Sequence, residues 1–158
     1  MSSTVQELPA LSLIDPLTCS VPQLLGPVGL SALSLQSTVR AGFPSSAEDF
    51  QAKRIDVLER LVKHPQATYC MTVRGESMRE ACIFDGDVLL VDRAVKPAHG
   101  QIVVAVVDGE FTCKQLWLRA GQLKLKAANP TFADITPSEG QTVEIWGVVI
   151  ASIRQFKN

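Results

Sequence analysis

The stretch IVVAVVDGEFTCKQLWL, residues Ile102–Leu118, decides the fold. Two runs rich in β-branched and other apolar residues flank the dipeptide Asp108-Gly109, which tolerates the positive φ angles of a tight primed turn. The stretch therefore predicts an antiparallel β-hairpin with this dipeptide at its tip.

Four further runs have a similar composition and lie on both sides of this hairpin. They are separated from their neighbours by turn dipeptides that include Asp85-Gly86 and Ala120-Gly121. Together these runs predict a mainly β domain. They read TYCMTV (68–73), DVLLVDR (87–93), QLKLKA (122–127) and TVEIWGVVIASI (142–153).

A short helix is predicted just before the strands. In SSAEDF, Ser45 or Ser46 is a suitable N-cap, and the acidic residues that follow suit the first turn of a helix. The segment KRIDVLERLVKH (53–64) continues with apolar residues spaced three and four apart, and Pro65 ends it. We expect one apolar stripe to face the core, formed by Ile55, Leu58, Leu61 and Val62.

The first 41 residues have a different composition, with scattered prolines and only three charges, Glu7, Asp15 and Arg40. They predict an extended, weakly ordered arm that, where ordered, lies over a surface or pairs with another subunit. A secretory signal is disfavoured because no basic residue precedes the apolar run 24–35, which a proline and a glycine interrupt. We expect no membrane anchor.

The 158 residues suit one domain with a short appendage, and the formal net charge of −1 gives no reason to expect strong direct DNA binding. The cysteines form no CxxC pair, and neither histidine, His64 or His99, stands near them with metal-ligand spacing. We therefore expect reduced thiols in a cytoplasmic protein without a metal or another cofactor. The cysteines are Cys19, Cys70, Cys82 and Cys113.

Ser77 lies in RGESMRE (74–80), directly after a predicted strand, where a hydroxyl is exposed as the chain leaves the sheet. The motif is not the GxSxG elbow of hydrolases, because Arg79 stands in place of the second glycine. A serine in such a turn is ordinarily only a turn residue, so this motif alone does not identify a nucleophile.

Lys114 lies on an apolar face of its predicted strand, with Leu116 and Leu118 on the same side. One explanation is an edge-strand lysine whose ammonium reaches water. The other is a buried amine whose lowered pKa lets it accept a proton from a serine. The sequence leaves both open. His64 and His99 are less suitable bases, since each lies in a turn-like segment with no sign of an orienting carboxylate.

Five motifs, taken together, resemble the LexA and UmuD family of self-cleaving Ser-Lys proteins in order and spacing, and the UmuD type most. The similarity extends over residues 39–153. The resemblance implies coiled β-sheets and a homodimer, with Ser77 as the nucleophile and Lys114 as the general base. The scissile bond is then Ala41–Gly42, and the backbone N–H groups of Ser77 and Met78 are candidates for the oxyanion site. The motifs are RAGFPSSAEDF, GESM, DGDVLLVDR, HGQIVVAVVDGEFTCKQL and VEIWGVVI.

The same resemblance implies an SOS-response function. A RecA filament on single-stranded DNA would stimulate removal of residues 1–41, and the peptidase-like domain 42–158 would then act as the accessory subunit of an error-prone, UmuC-like Y-family DNA polymerase. A binding protein that never cuts is the alternative from another class. A LexA-like repressor is disfavoured because the arm is too short for a helix-turn-helix domain and its linker. A signal peptidase, which shares the Ser-Lys chemistry, is disfavoured because we expect no membrane anchor.

Overall fold

The computed structural model describes residues 22–24, 31–35 and 52–157, and in these ranges the chain is mainly β, which confirms the predicted fold class. Nine strands and one short α-helix occur there, with two single-turn 3-10 helices at Pro65–Ala67 and Arg79–Ala81. The strands and helix are β1 (Gln23–Leu24), β2 (Ser31–Leu35), β3 (Ala52–Asp56), α1 (Val57–Leu61), β4 (Thr68–Thr72), β5 (Val88–Asp92), β6 (Ile102–Val107), β7 (Glu110–Arg119), β8 (Gln122–Lys126) and β9 (Val143–Ile153).

Seven strands form one antiparallel sheet in the order β1-β4-β5-β9-β6-β7-β8, and β2 pairs with β3 in a separate ribbon. Strands β4 to β9 coincide with the six predicted runs. The hairpin between β6 and β7 is confirmed, since Asp108 and Gly109 have φ angles of 50° and 87°, both in the left-handed region that a primed turn requires.

Apolar clusters cover both faces of the sheet, and β9 is irregular where it pairs with each of its two neighbours. The pairing of β9 shifts register against β5 and again against β6, and such bulges bend a strand and increase its twist. Val104 belongs to one buried cluster, whereas its neighbours Val103 and Ala105 belong to the other. Because successive side chains of a strand point to opposite faces, the sheet is packed on both sides.

The predicted helix over residues 53–64 is partly wrong. Residues up to Asp56 form β3, and only Val57–Leu61 is helical. The side chain of Asp56 accepts hydrogen bonds from the backbone N–H groups of Leu58 (2.9 Å) and Glu59 (3.1 Å), so it caps the helix and fixes its start. Val62 is buried as expected, but Leu61 is 39% exposed. The predicted cap at Ser45 or Ser46 lies outside the described residues.

Two parts of the predicted arm form strands within this chain. β1 pairs with β4 at the edge of the large sheet, and β2 pairs with β3. Both partners belong to the same chain. In the described ranges, no helix has the length and apolar character that crossing a membrane requires.

Candidate functional site

Ser77 and Lys114 meet in a cleft between the end of β4 and the first half of β7. Lys114 Nζ lies 2.8 Å from Ser77 Oγ, although 37 positions separate the two residues in the sequence. Met71 and Val104 contribute to the apolar wall of this cleft, and Thr112 lines it beside Lys114. The structure therefore brings together the two residues that the sequence analysis singled out separately.

The amine of Lys114 is held inside the protein. The residue is 7% exposed, and Nζ also donates hydrogen bonds to Thr112 Oγ1 (3.1 Å) and to the carbonyl oxygen of Cys113 (3.0 Å). Strand β8 pairs only with Gln115–Arg119 of β7, so the strand order alone does not exclude an edge lysine at position 114. Because Lys114 is buried and its amine bonds inside the cleft, however, its ammonium does not reach water as the first explanation requires. Burial disfavours the ammonium form and lowers the pKa of Lys114, while the nearby thiol of Cys113 partly opposes this shift.

The hydrogen-bond geometry around Lys114 suits both protonation states. A charged ammonium has three N–H donors, and Ser77 Oγ, Thr112 Oγ1 and the Cys113 carbonyl oxygen supply three acceptors. A neutral amine keeps two donors for the last two partners, and its lone pair can then accept the hydroxyl proton of Ser77. The arrangement can therefore activate a serine without any change in the protein framework.

The Ser77 loop, residues 74–81, is pinned on both sides of the serine. Gly75, at a φ of 85°, donates its backbone N–H to Asp85 Oδ1 at 2.7 Å. On the other side, Met78 is 2% exposed and packs in the cluster that contains Met71 and Val104. The GESM motif thus combines a flexible-backbone glycine, the serine and a buried apolar anchor.

Asn129 also holds the Ser77 loop, and the sequence analysis did not identify it. Its Nδ2 donates to the backbone carbonyl of Glu76 at 2.8 Å, while the N–H of Glu80 donates to the carbonyl of Ala128 at 2.7 Å. Asn129 lies in a turn-like segment, ANPT, where an asparagine is ordinary, so the sequence carried no signal for this role. The period of two does place Thr112 on the same strand face as Lys114, but the sequence assigned it no role, and the structure makes it a hydrogen-bond partner of the amine.

An ion pair between exposed Arg154 and buried Asp87 fixes the turn that follows the Ser77 loop. Arg154 donates from Nε to Asp87 Oδ1 (2.8 Å) and from Nη2 to Asp87 Oδ2 (2.7 Å), and its guanidinium lies 3.9 Å from the ring centroid of Phe84. Hydrogen bonding by Arg154 is the main cause that lowers the pKa of Asp87 to about 2. The end of the chain is thereby tied to the β4–β5 turn.

The expectation that His64 has no orienting carboxylate is wrong. Its Nδ1 lies 2.7 Å from Oδ2 of the buried Asp92, 28 positions away in the sequence. His99 instead accepts a hydrogen bond at Nδ1 from the N–H of Leu118 (3.0 Å). Within the described part of the chain, neither histidine has a hydrogen bond to Ser77, so neither competes with Lys114 for the serine proton.

The described cysteines, Cys70, Cys82 and Cys113, are free thiols, and burial raises the pKa of Cys113 to about 11. Among the described residues, no group of three or more His, Cys, Asp or Glu side chains could hold a metal ion. Cys19 and the predicted scissile bond, Ala41–Gly42, lie outside the described residues.

Comparison with known proteins agrees with the motifs. The profile of the Peptidase S24-like family matches residues 34–150. The chain is 41% identical over 115 residues to Protein MucA of Escherichia coli, which covers 73% of this chain and 79% of that protein. It is 42% identical over 119 residues to Protein ImpA of Shigella flexneri (75% and 80%) and 36% identical over 132 residues to Protein SamA of Salmonella typhimurium (84% and 91%).

The chain therefore belongs to the peptidase S24-like family, in its LexA/UmuD-type group. Membership supports a role as a self-cleaving serine peptidase connected with the SOS response. The matched range begins before Ala41 and Gly42 and ends after the last residue of the cleft, so it includes both the predicted scissile bond and the Ser77–Lys114 pair.

Proposed function

We propose that this chain is a Ser-Lys endopeptidase that cuts its own Ala41–Gly42 bond, removing residues 1–41 and leaving the domain 42–158. The observation that carries the proposal is the 2.8 Å approach of Lys114 Nζ to Ser77 Oγ in a cleft where burial lowers the pKa of the amine. A lysine in such a setting is a suitable general base near neutral pH.

In the first half of the reaction, Lys114 accepts the hydroxyl proton while Ser77 Oγ forms a bond to the carbonyl carbon of Ala41. The carbonyl oxygen becomes an oxyanion. The C–N bond to Gly42 then breaks, Lys114 returns the proton to the leaving amine, and Ala41 stays attached to Ser77 as an ester. Ala41 has only a methyl side chain and Gly42 has none, so the backbone at this bond can approach the nucleophile closely.

In the second half, a water molecule attacks the ester while Lys114 takes its proton. The ester bond breaks, and the proton passes from Lys114 to Ser77 Oγ, which restores the starting state. The backbone N–H groups of Ser77 and Met78 are our candidates for stabilising the oxyanion in both halves. In support, neither group donates a backbone hydrogen bond to any residue that the structure describes.

In the cell, the proposed trigger is a RecA filament on single-stranded DNA, as in the SOS response. The truncated form would act in the cytoplasm as a homodimer and as the accessory subunit of an error-prone, UmuC-like Y-family DNA polymerase for translesion synthesis. The UmuD-like relatives support an association with such polymerase systems. No strong direct DNA binding is needed, which agrees with the net charge of −1.

The test is to incubate the chain with RecA, a nucleotide and single-stranded DNA and to measure intact masses. We expect two products, residues 1–41 and a fragment that begins at Gly42, and no cleavage in Ser77→Ala or Lys114→Ala. Ser138→Ala and Lys157→Ala, both at exposed positions, are matched controls that should be cut normally. A wild-type chain that stays intact would favour the non-cleaving binding protein, and a fragment that begins elsewhere would refute the assigned bond.

The polymerase role needs a separate measurement. We expect the fragment 42–158 produced by cleavage to bind the catalytic subunit of a Y-family polymerase and to increase its synthesis past a template lesion. The uncut Ser77→Ala chain is the control and should give less stimulation. Equal stimulation by both forms would remove the functional reason for cleavage while leaving the peptidase chemistry intact.

A further inference from the structure

Glu76, next to the nucleophile, has a carboxylate oxygen with no partner. Its Oε2 is buried and accepts no hydrogen bond from any residue that the structure describes. Leaving a buried acceptor unsatisfied costs free energy, so such groups are rare and call for a specific explanation. Glu76 lines the same cleft as Ser77 and Lys114, which places this oxygen beside the reactive groups.

The position of Glu76 is fixed by its backbone. Its carbonyl oxygen accepts hydrogen bonds from Asn129 Nδ2 (2.8 Å) and from the backbone N–H of Arg79 (3.3 Å). On either side, Gly75 is bonded to Asp85, and Met78 is buried. The carboxylate is therefore presented from a rigid loop, and a ligand that binds it does not have to order the loop first.

A carboxylate in a partly buried cleft is best satisfied by a cation that can donate hydrogen bonds, and a guanidinium does this with two parallel N–H donors. Arg154 lies near enough for an electrostatic interaction with Glu76, but its Nε and one terminal nitrogen are already bonded to Asp87. Lys114 uses its donors on Ser77, Thr112 and the Cys113 carbonyl. Neither of these cations supplies the missing partner.

The chain carries a suitable cation beside the proposed scissile bond. Arg40 is the single basic residue among the first 41, and it directly precedes Ala41. When the Ala41 carbonyl lies against Ser77, Arg40 is one residue further along an extended backbone, about 3.4 Å away. Glu76 is the chain neighbour of Ser77, about 3.8 Å from it between Cα atoms. The long arginine side chain can readily span the remaining gap.

We propose that Glu76 binds the guanidinium of Arg40 and thereby sets the register in which the arm enters the cleft, so that the bond after Ala41 faces Ser77. This inference rests on the proposed self-cleavage and adds a specificity-determining pair to it. The pair selects against neighbouring bonds, because a shift of the arm by one residue turns the arginine to the opposite side of the extended chain.

A double-mutant cycle tests the pair in the full-length chain with RecA, a nucleotide and single-stranded DNA. We expect Glu76→Gln and Arg40→Gln each to slow formation of the Gly42 fragment about tenfold, the size expected for loss of a charge-assisted hydrogen bond. The double variant should be no slower than either single variant. Two variants serve as matched controls and should cleave normally: Glu80→Gln, at an exposed position of the same loop, and Arg119→Gln, at the exposed last residue of β7.

Two readouts separate recognition from damage to the fold. The Glu76→Gln chain should unfold at a temperature no lower than that of the parent, both measured with Ser77→Ala, because the substitution removes a buried charge without a partner. Arg40→Gln changes no residue that lines the cleft. Mass spectrometry should also detect minor products from bonds next to Ala41–Gly42 in the single variants. Independent effects of the two substitutions, or unchanged rates, would overturn the pairing while leaving self-cleavage standing. A wild-type chain that is never cut would overturn the proposed function and this inference with it.

Discussion

Replacing Lys114 by methionine removes a buried amine while keeping an unbranched side chain, and we expect the variant to gain stability relative to the parent as the pH falls. The pKa of Lys114 in the folded state is lower than its usual value. Between the folded and unfolded pKa values, the unfolded chain therefore binds more protons. Stability of the parent consequently rises with pH through this window and is lowest below the folded pKa.

The size of the effect follows from linkage. For one group, the stability difference between variant and parent changes by at most about 1.4 kcal/mol per pH unit, between the folded pKa and the usual lysine value near 10.4. Below the folded pKa of Lys114, the stability difference between variant and parent no longer changes with pH. In chains that also carry Ser77→Ala, the variant loses two hydrogen bonds, to Thr112 Oγ1 and the Cys113 carbonyl, each contributing about 0.5–1.5 kcal/mol, but this loss shifts the whole curve without changing its slope.

The assay is urea unfolding from about pH 6 to about pH 10, with Ser77→Ala in both chains to prevent cleavage. A second series in Cys113→Ala chains removes the thiol that is coupled to Lys114. In wild type, the rate of self-cleavage should rise about tenfold per pH unit up to the folded pKa and then level off, since only the neutral amine accepts a proton. A stability difference that does not depend on pH, or that grows as pH rises, would refute the buried-amine reasoning.

Three smaller changes test the framework around the site. Gly147→Ala should destabilise the domain by about 1–3 kcal/mol in urea unfolding, because the new methyl carbon would lie 2.7 Å from Val91 Cγ1; equal stability would mean that the bulge can relax. Ala120→Gly should raise stability by up to about 1 kcal/mol, because Ala120 has a φ of 50°; a loss would show that the turn is unstrained. Asn129→Ala should slow self-cleavage about tenfold and cost about 1 kcal/mol; normal cleavage would show that the Ser77 loop needs no anchor.

The six strands β4 to β9 could be predicted because their information is local: β-branched residues, a period of two and turn dipeptides lie within each short segment. The helix boundary could not be predicted in the same way. Residues 53–56 fit the helical spacing, but pairing with Ser31–Leu35 makes them a strand, and Asp56 satisfies the first helical N–H groups only from that position. A distant partner thus overrode the local pattern.

The candidate site shows the same division between local and distant information. Ser77 and Lys114 could each be singled out from motif and face, but their contact spans 37 positions and depends on where the sheet places β4 and β7. The bond of Asn129 to Glu76 spans 53 positions, and its asparagine is ordinary for a turn. The pairing of His64 with Asp92 was missed for a related reason. The two residues are 28 positions apart, and nothing in the sequence of the strand that contains Asp92 indicates a contact with a histidine.

The geometry of the pair also bears on how the proposed reaction would be controlled. Two brakes are conceivable: a charged Lys114 in a cleft open to water, and an arm that seldom docks. Lys114 is 7% exposed and already bonded to Ser77, Thr112 and Cys113, so docking of the arm has little water left to exclude from the amine. Control then rests on delivery of Ala41–Gly42 to the cleft, and an activator works by raising the docked population of the arm. On this reasoning, an activator should change the rate of cleavage by the same factor at every pH.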